Sequence, residues 1–402
     1  MNQTSTNNSY TLGWVFLLTL LTAFSALSTD MYLPALPMMA EEYQVSTQMI
    51  ANTLGAYFLG LAFGQLIYGP LSDRYGRKPP LYFGLTVYIV ASLCCAIAPN
   101  ETILLIFRVL QAFGGCAGVV IVRAAIRDRL NMKESAQVFS TMLLAMGLAP
   151  IFAPALGALL IQYFHWSSIF YLLTAIGVVT LVLVHFYFNE TLLQSNRQNI
   201  SAKQIFRNYL SLFKDHTFAV PMFAGAMLYG TLYCYIGASS NLFINFLKVP
   251  EQQFAYLFGL NALGLMLFAF INKRLIPYFS VSHLFILGAF IQISGIFIIS
   301  INAWSDLINP YLICSGLFLL VGGIGLTGPN SLAIVMQNQV KQAGLASALM
   351  GGVQFFCGFI MTILLSVLPF NILQNMSIIM LVTGLPSMYF AIYNHQFFVE
   401  LK

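Results

Sequence analysis

Two residues of opposite charge stand inside stretches of sequence that are otherwise almost wholly apolar. They are Asp30, in Ser28-Thr29-Asp30-Met31-Tyr32-Leu33-Pro34, and Arg108, in Arg108-Val109-Leu110-Gln111. An ionisable side chain within a bilayer costs at least about 2.5 kcal/mol on insertion scales, so each reads as functional before any other argument is made. Burial favours the neutral acid and a neighbouring arginine favours the carboxylate, and that competition can make a carboxyl group bind and release a proton when its surroundings change. Asp30 is the single carboxylate placed well inside an apolar span. At about 1.5 Å per helical residue it lies roughly 27 Å from the start of its span at Leu12, while Arg108 lies roughly 8 Å from the start of an antiparallel span at Ile103. The two therefore share a depth, and we expect them to face one cavity and to interact, directly or through water. One carboxylate implies one coupled proton per cycle.

The elements that hold these residues follow from composition. With 59% hydrophobic and 7% charged residues over 402 positions, the chain lies far from soluble proteins, in which about a quarter of residues are charged. Twelve apolar stretches long enough to cross a bilayer core of about 30 Å recur along it. They run over 12–36, 47–69, 79–98, 103–125, 136–161, 167–188, 218–246, 253–276, 282–302, 308–335, 342–369 and 372–397. Barrel strands would alternate polar and apolar residues, whereas Ile169 to Phe188 is almost unbroken hydrophobe. The expected fold is all-α and integral to the membrane. The first span is longer than a signal-peptide core and follows ten residues without Lys or Arg, so it is expected to be retained as a helix.

Basic residues are distributed unevenly. With the N-terminus inside, Arg74, Arg77, Lys78, Arg123, Arg127, Arg129, Lys133, Arg197, Lys203, Arg207, Lys214, Lys273, Arg274, Lys341 and Lys402 fall in inside loops, and Lys248 falls outside. The positive-inside rule then puts both termini in the cytoplasm and supports an even number of spans. The longest polar stretch separates six spans from six, giving an N-terminal bundle over 1–188, a linker over 189–217 and a C-terminal bundle over 218–402. Repeats of this kind generally bind substrate between their halves at mid-depth.

A charged island, Gly69-Pro70-Leu71-Ser72-Asp73-Arg74-Tyr75-Gly76-Arg77-Lys78, follows the second span. It resembles the cytoplasmic loop signature of the major facilitator superfamily, with Ser72 in place of alanine. Together with Ser28 to Pro37 and with Arg108 to Gln111, which resembles an Arg-x-x-Gln-Gly motif ending here in Ala112, it is similar to the drug:proton antiporters of the Bcr/CflA (bicyclomycin/chloramphenicol resistance) branch. Span 5 resembles the antiporter signature as Ala149, Ala153, Pro154, Gly157 and Ala158, three glycines having become alanine. Small residues still let helices approach closely, and Pro154 can still bend the span. Asn261 lies in a span-8 segment typical of the branch, whereas Asn241 replaces its usual proline near the end of span 7.

The resemblance implies twelve helices in two pseudo-symmetric six-helix bundles and proton-coupled export of drugs or other small amphipathic molecules from the cytoplasm across a bacterial inner membrane, by a monomer. Asp30 would titrate under the influence of Arg108, and Asp73, Arg77 and Asp128 would form a cytoplasmic gate. A drug cavity should be apolar and aromatic with few polar groups, and Tyr57, Gln111, Tyr233, Asn261 and Gln354 are polar-tipped candidates for its wall. Lipid, drug-like molecules and protons are the expected partners; nucleic acid, a cofactor and a metal are not. The five histidines lie at span ends or in loops without a nucleophile or metal-ligand pattern, and the six cysteines show no CxxC spacing, so an enzyme is not expected. The competing reading within transport is a proton-coupled carrier of one metabolite, such as a sugar, amino acid or peptide.

Overall fold

The computed structural model describes residues 11–197, 201–337, 339 and 342–393; the side chains of 132, 133, 136, 140, 143–146 and 393 are excepted. The first ten residues, Lys341, His395 and Lys402, and the side chain of Lys133, all used in the sequence reading, therefore lie outside what is described. The chain forms α1 (Leu12–Asp30), α2 (Leu36–Glu42), α3 (Thr47–Tyr75), α4 (Lys78–Ala96), α5 (Glu101–Arg129), α6 (Met132–Tyr163) and α7 (Ser167–Tyr187). A short α8 (Ala202–Lys214) follows, then α9 (His216–Ser240), α10 (Glu251–Leu275), α11 (Val281–Ala303), α12 (Pro310–Met336), α13 (Ala343–Val367) and α14 (Ile372–Tyr393). Among the described residues eleven helical spans are long and apolar enough to cross a membrane, α1 and α2 counting as one. The twelfth helix, α6, has 32 residues, of which 147–163 form an apolar stretch.

Within the first half α5 packs on α3, α4 and α1, and α4 on α7; within the second, α12 packs on α11 and α10, and α9 on α13 and α14. Two helix pairs carry most of the contact between halves, α3 with α13 and α6 with α10. Polar helix starts are capped as expected from their sequence: Ser46, Asn100, Asn131 and Ser280 each accept a backbone N–H of the first turn.

Three features differ from the sequence expectation. The first span does not run as one helix: α1 stops at Asp30, and a 3₁₀ turn, Leu33–Ala35, leads into α2. Pro34 and Pro37 cannot donate the N–H groups that would continue the helix. The charged island is also mostly helix, because α3 continues through Tyr75 and only Gly76 and Arg77 make the turn. Pro70 leaves the Leu66 carbonyl without its helical donor, and the Tyr209 hydroxyl of α8 donates to that carbonyl at 2.9 Å. Third, Arg123, Arg127 and Arg129 are helical residues of α5, not loop residues. The capped start of α6 at Asn131 follows almost at once, so the helices meet with almost no loop.

Candidate functional site

The break after Asp30 exposes the carbonyl end of α1, and this is where Arg108 is found. The last carbonyls of a helix lack intrahelical donors and form the negative end of its dipole. The Arg108 guanidinium donates to the Ser28 carbonyl at 2.9 Å and to Gln111 Oε1 at 2.6 Å. The rings of Tyr32 and Tyr57 each lie 4.3 Å from its central carbon. Gln111 in turn donates to Ser92 at 2.8 Å, Ser92 to the Tyr88 carbonyl at 2.7 Å, and the Tyr88 hydroxyl pairs with the Ser28 hydroxyl at 2.8 Å. This chain of bonds returns to the residue from which it began and ties α1, α4 and α5 together. Arg108, Gln111 and Ser28 are each fully buried.

Asp30 is 5% exposed and accepts from the Thr29 hydroxyl at 2.9 Å. No ion pair within 4 Å joins it to Arg108 among the described residues, so of the two forms of interaction expected, direct or through water, the direct one is not made. The two terminal nitrogens of Arg108 are instead given to a carbonyl and an amide between two ring faces, and its buried Nε–H makes no hydrogen bond. The turn that follows Asp30, Leu33–Ala35, packs on α9 and α10 of the second half, so the acid stands at the end of α1 beside the seam between the halves.

Helix α6 closes in beside this break. A Cβ at Gly157 would lie 1.7 Å from the Met31 carbonyl oxygen, so only glycine permits the approach of α6 to the turn after α1. Gly157 is the glycine that survives in the span-5 signature. Ala153, Pro154 and Ala158, buried beside it, keep that face of α6 small.

At mid-depth, Tyr233 of α9 meets Phe58 of α3 at 4.6 Å between ring centroids and Phe355 of α13 at 5.5 Å. This aromatic cluster spans the seam, with Gln354 half-buried beside it on α13. Asn261 donates to the Tyr235 hydroxyl at 2.8 Å, within the second half. Of the five candidate cavity residues, Tyr233 thus belongs to the seam, Gln354 is the half-buried neighbour of Phe355 in α13, Tyr57 and Gln111 belong to the Arg108 network, and Asn261 to the α9–α10 contact.

The two faces of the molecule differ. On the face away from the basic turns, the 3₁₀ turn packs on α9 and α10, α2 packs on a π-helical stretch, Asn241–Phe246, and Asn245 donates to Thr47 at 2.7 Å. On the basic face a cavity of about 250 Å³ opens between the halves, with Asp73, Arg123 and Arg127 on one wall and Leu332, Met336 and Gly344 on the other. Beside it, Arg77 bonds Asp128 through Nε and Nη2 at 2.7 and 3.2 Å, Asp73 at 2.5 Å and Ser72 at 2.9 Å. Asp73, Arg77 and Asp128 are brought together as expected, all within the first half.

Sequence reasoning missed Glu190. Its carboxylate accepts the backbone N–H groups of Arg77 at 2.8 Å and Lys78 at 3.1 Å, at the start of α4, where a helix favours an anion. Partial burial opposes its charge, but donors from Arg77, Leu192, Lys78 and Thr191 outweigh this and hold the carboxyl below its ordinary range. The Pro79-Pro80 pair, which removes two N–H groups from the first turn of α4, was the available signal that this helix start needed an outside acceptor for those that remain.

The family profile described as Major Facilitator Superfamily matches residues 18–362. The chain is 32% identical over 351 residues to a bicyclomycin resistance protein homolog of Haemophilus influenzae, covering 87% of this chain and 88% of that one. It is 27% identical over 328 residues to the multidrug resistance protein MdtL of a Shewanella species, covering 80% of each. Among solved structures, a D-xylose-proton symporter superposes with a TM-score of 0.74 at 13% identity, over 94% of this chain and 96% of that one.

Proposed function

The chain belongs to the major facilitator superfamily, and within that family we propose that it is a proton-coupled antiporter that exports drugs or similar small amphipathic molecules. The observation that carries this reading is the placement of Asp30: a buried carboxyl at a helix break, beside the turn that packs on the second half, without a basic partner within 4 Å among the described residues. A carboxyl at a seam changes surroundings whenever the halves rock, and proton release and cargo binding then become alternatives at one place. Arg108 acts on this site through α1. By holding the Ser28 carbonyl it fixes the helix end that carries Asp30, and its own charge is shielded by the Tyr32 and Tyr57 rings.

The Phe58, Tyr233 and Phe355 cluster supplies the adaptable apolar surface that a drug site uses. The resistance proteins that the chain resembles support the same class of cargo. Positive-inside placement makes the basic face cytoplasmic, with both termini inside a bacterial inner membrane. Residues 1–188 and 218–402 move as the two halves, with 189–217 as their link. The cavity between Asp73, Arg123 and α13 is then the access route from the cytoplasm, and the cluster of Asp73, Arg77 and Asp128 gates it. The bonding of that cluster within its own half, together with the contacts across the halves on the opposite face, supports reading this arrangement as a carrier open to the cytoplasm.

The test is uptake into everted membrane vesicles energised by a pH gradient, offered chloramphenicol, a lipophilic cation and an amino acid. Accumulation of the first two but not the third is expected. Accumulation of the amino acid alone would make this a metabolite carrier.

A further inference from the structure

Three arginines line the cavity on the basic face, and their circumstances differ. Arg77 is bonded to two carboxylates and a hydroxyl. Arg129, nearby at the end of α5, lies outside the cavity against the ring of Trp14. Arg123 and Arg127 line the cavity and make no hydrogen bond or ion pair with any described residue. They stand four residues apart on α5, on one helix face. Arg123 is about 9 Å inside the helix end at Arg129, open to the cavity although deep within the fold. It is near enough to Tyr229 of α9 for the two to interact electrostatically across the seam.

A positive charge that served only to orient the chain would be as effective in the last turn, where Arg129 already is, without the cost of this depth. The acid that shares the cavity wall, Asp73, is already bonded to Arg77. The free charge on the wall is therefore positive, and it faces the apolar side chains of Phe139, Leu332 and Met336. We propose that Arg123, assisted by Arg127, is an anion-recognition subsite for cargo: it takes small amphipathic molecules that carry a carboxylate, sulfonate or phosphate group, with the apolar body against the opposite wall. The guanidinium fork matches such groups bidentately. This rests on the reading of the cavity as the cargo route and narrows the cargo class within it.

The experiment uses two dyes that share one ring frame and differ in charge, carboxyfluorescein as the anion and rhodamine 123 as the cation. Their binding to the purified full chain in detergent is followed by fluorescence anisotropy. Arg123→Gln is expected to weaken carboxyfluorescein by about tenfold or more, as loss of a charge-assisted bond does, and to leave rhodamine 123 unchanged or tighter. Arg123→Lys should recover part of the loss, and Arg127→Gln should cost less than Arg123→Gln. The proposal is overturned if wild-type protein binds carboxyfluorescein no tighter than Arg123→Gln, or if the variant weakens both dyes equally while Arg123→Lys restores neither. An anionic phospholipid added to the wild type distinguishes the source of the anion: displacement of the dye by a short-chain phosphatidylglycerol stronger than by free benzoate would overturn the assignment to soluble cargo. Binding needs no export, so Arg123-dependent dye binding in a protein that moves nothing along a pH gradient would sink the antiporter reading alone.

Discussion

The two six-helix halves solve the same packing problem with different chemistry. Inside the first half the polar interior is built on charge: Arg108 bonds the end of α1 and holds Gln111, Asp30 stands beside the turn that packs on α9 and α10, and Arg123 lines the cavity between the halves. The second half has no Asp, Glu, Lys or Arg anywhere in α12, α13 or α14. Its helices are tied by neutral groups. Thr327 donates to Gln292 at 2.8 Å, Asn330 to Asn272 at 2.7 Å and Ser387 to the Ala224 carbonyl at 2.5 Å. Neutral bonds hold helices together under any protonation state, whereas a buried charge responds to its surroundings. On the proposed reading, the difference assigns titration to the first half and leaves the second as its counter-surface.

The sharpest way to break this comparison is to remove charge from the first half. Arg108→Ala is expected to abolish transport and to destabilise the protein by about 3 kcal/mol or more, because the Ser28 carbonyl and Gln111 Oε1 are left buried without the donor that Arg108 supplies. Thermal unfolding in detergent, compared with transport in vesicles, checks it. Gly157→Leu comes next: with no room between α6 and the Met31 carbonyl, the helices must part, and a cost of about 1 to 3 kcal/mol is expected from overpacking. Gly157→Ala should show the same effect more weakly. In the second half, Thr327→Val removes one neutral bond and should cost only about 0.6 to 1.7 kcal/mol with transport retained. If it matched Arg108→Ala, the division of labour between the halves would fail.

The smallest expected effect lies at the basic face. Glu190 sits below its ordinary carboxylate range because it is bonded as an anion. It therefore stabilises the fold above its unfolded value near 4.5, and that contribution is lost as pH falls through its lower folded value. Unfolding temperatures of wild type and Glu190→Gln should differ at about pH 7 and converge as the pH is taken below that lower folded value.

Much of this was legible in the sequence. Apolar runs gave the spans, and the resemblance carried by the Gly69 to Lys78 island implied the grouping of Asp73, Arg77 and Asp128 on the basic face. Asp30 and Arg108 stood out because charge is costly within a membrane. What was not legible was direction. Depth along a helix can be counted, but the side to which Arg108 points depends on where α1 ends, and that end was set by Pro34 with no marker of its partner. Gly157 carried a signal as the glycine retained among alanines, yet only the packing of α6 on Met31 shows why it cannot change. Arg123 was hidden by its kind, since basic residues near a span end are read as orientation signals. Glu190 was hidden by distance in sequence, more than a hundred residues from the helix start that it caps.

The most direct test of a titrating acid at the seam is proton exchange by Asp30→Asn in proteoliposomes, with cargo and internal pH followed together. The variant is expected to bind cargo and to let it move downhill, with no cargo-driven proton movement and no accumulation against a gradient when a pH difference is imposed. Uphill transport that still follows the pH difference in Asp30→Asn would contradict the assignment of coupling to Asp30.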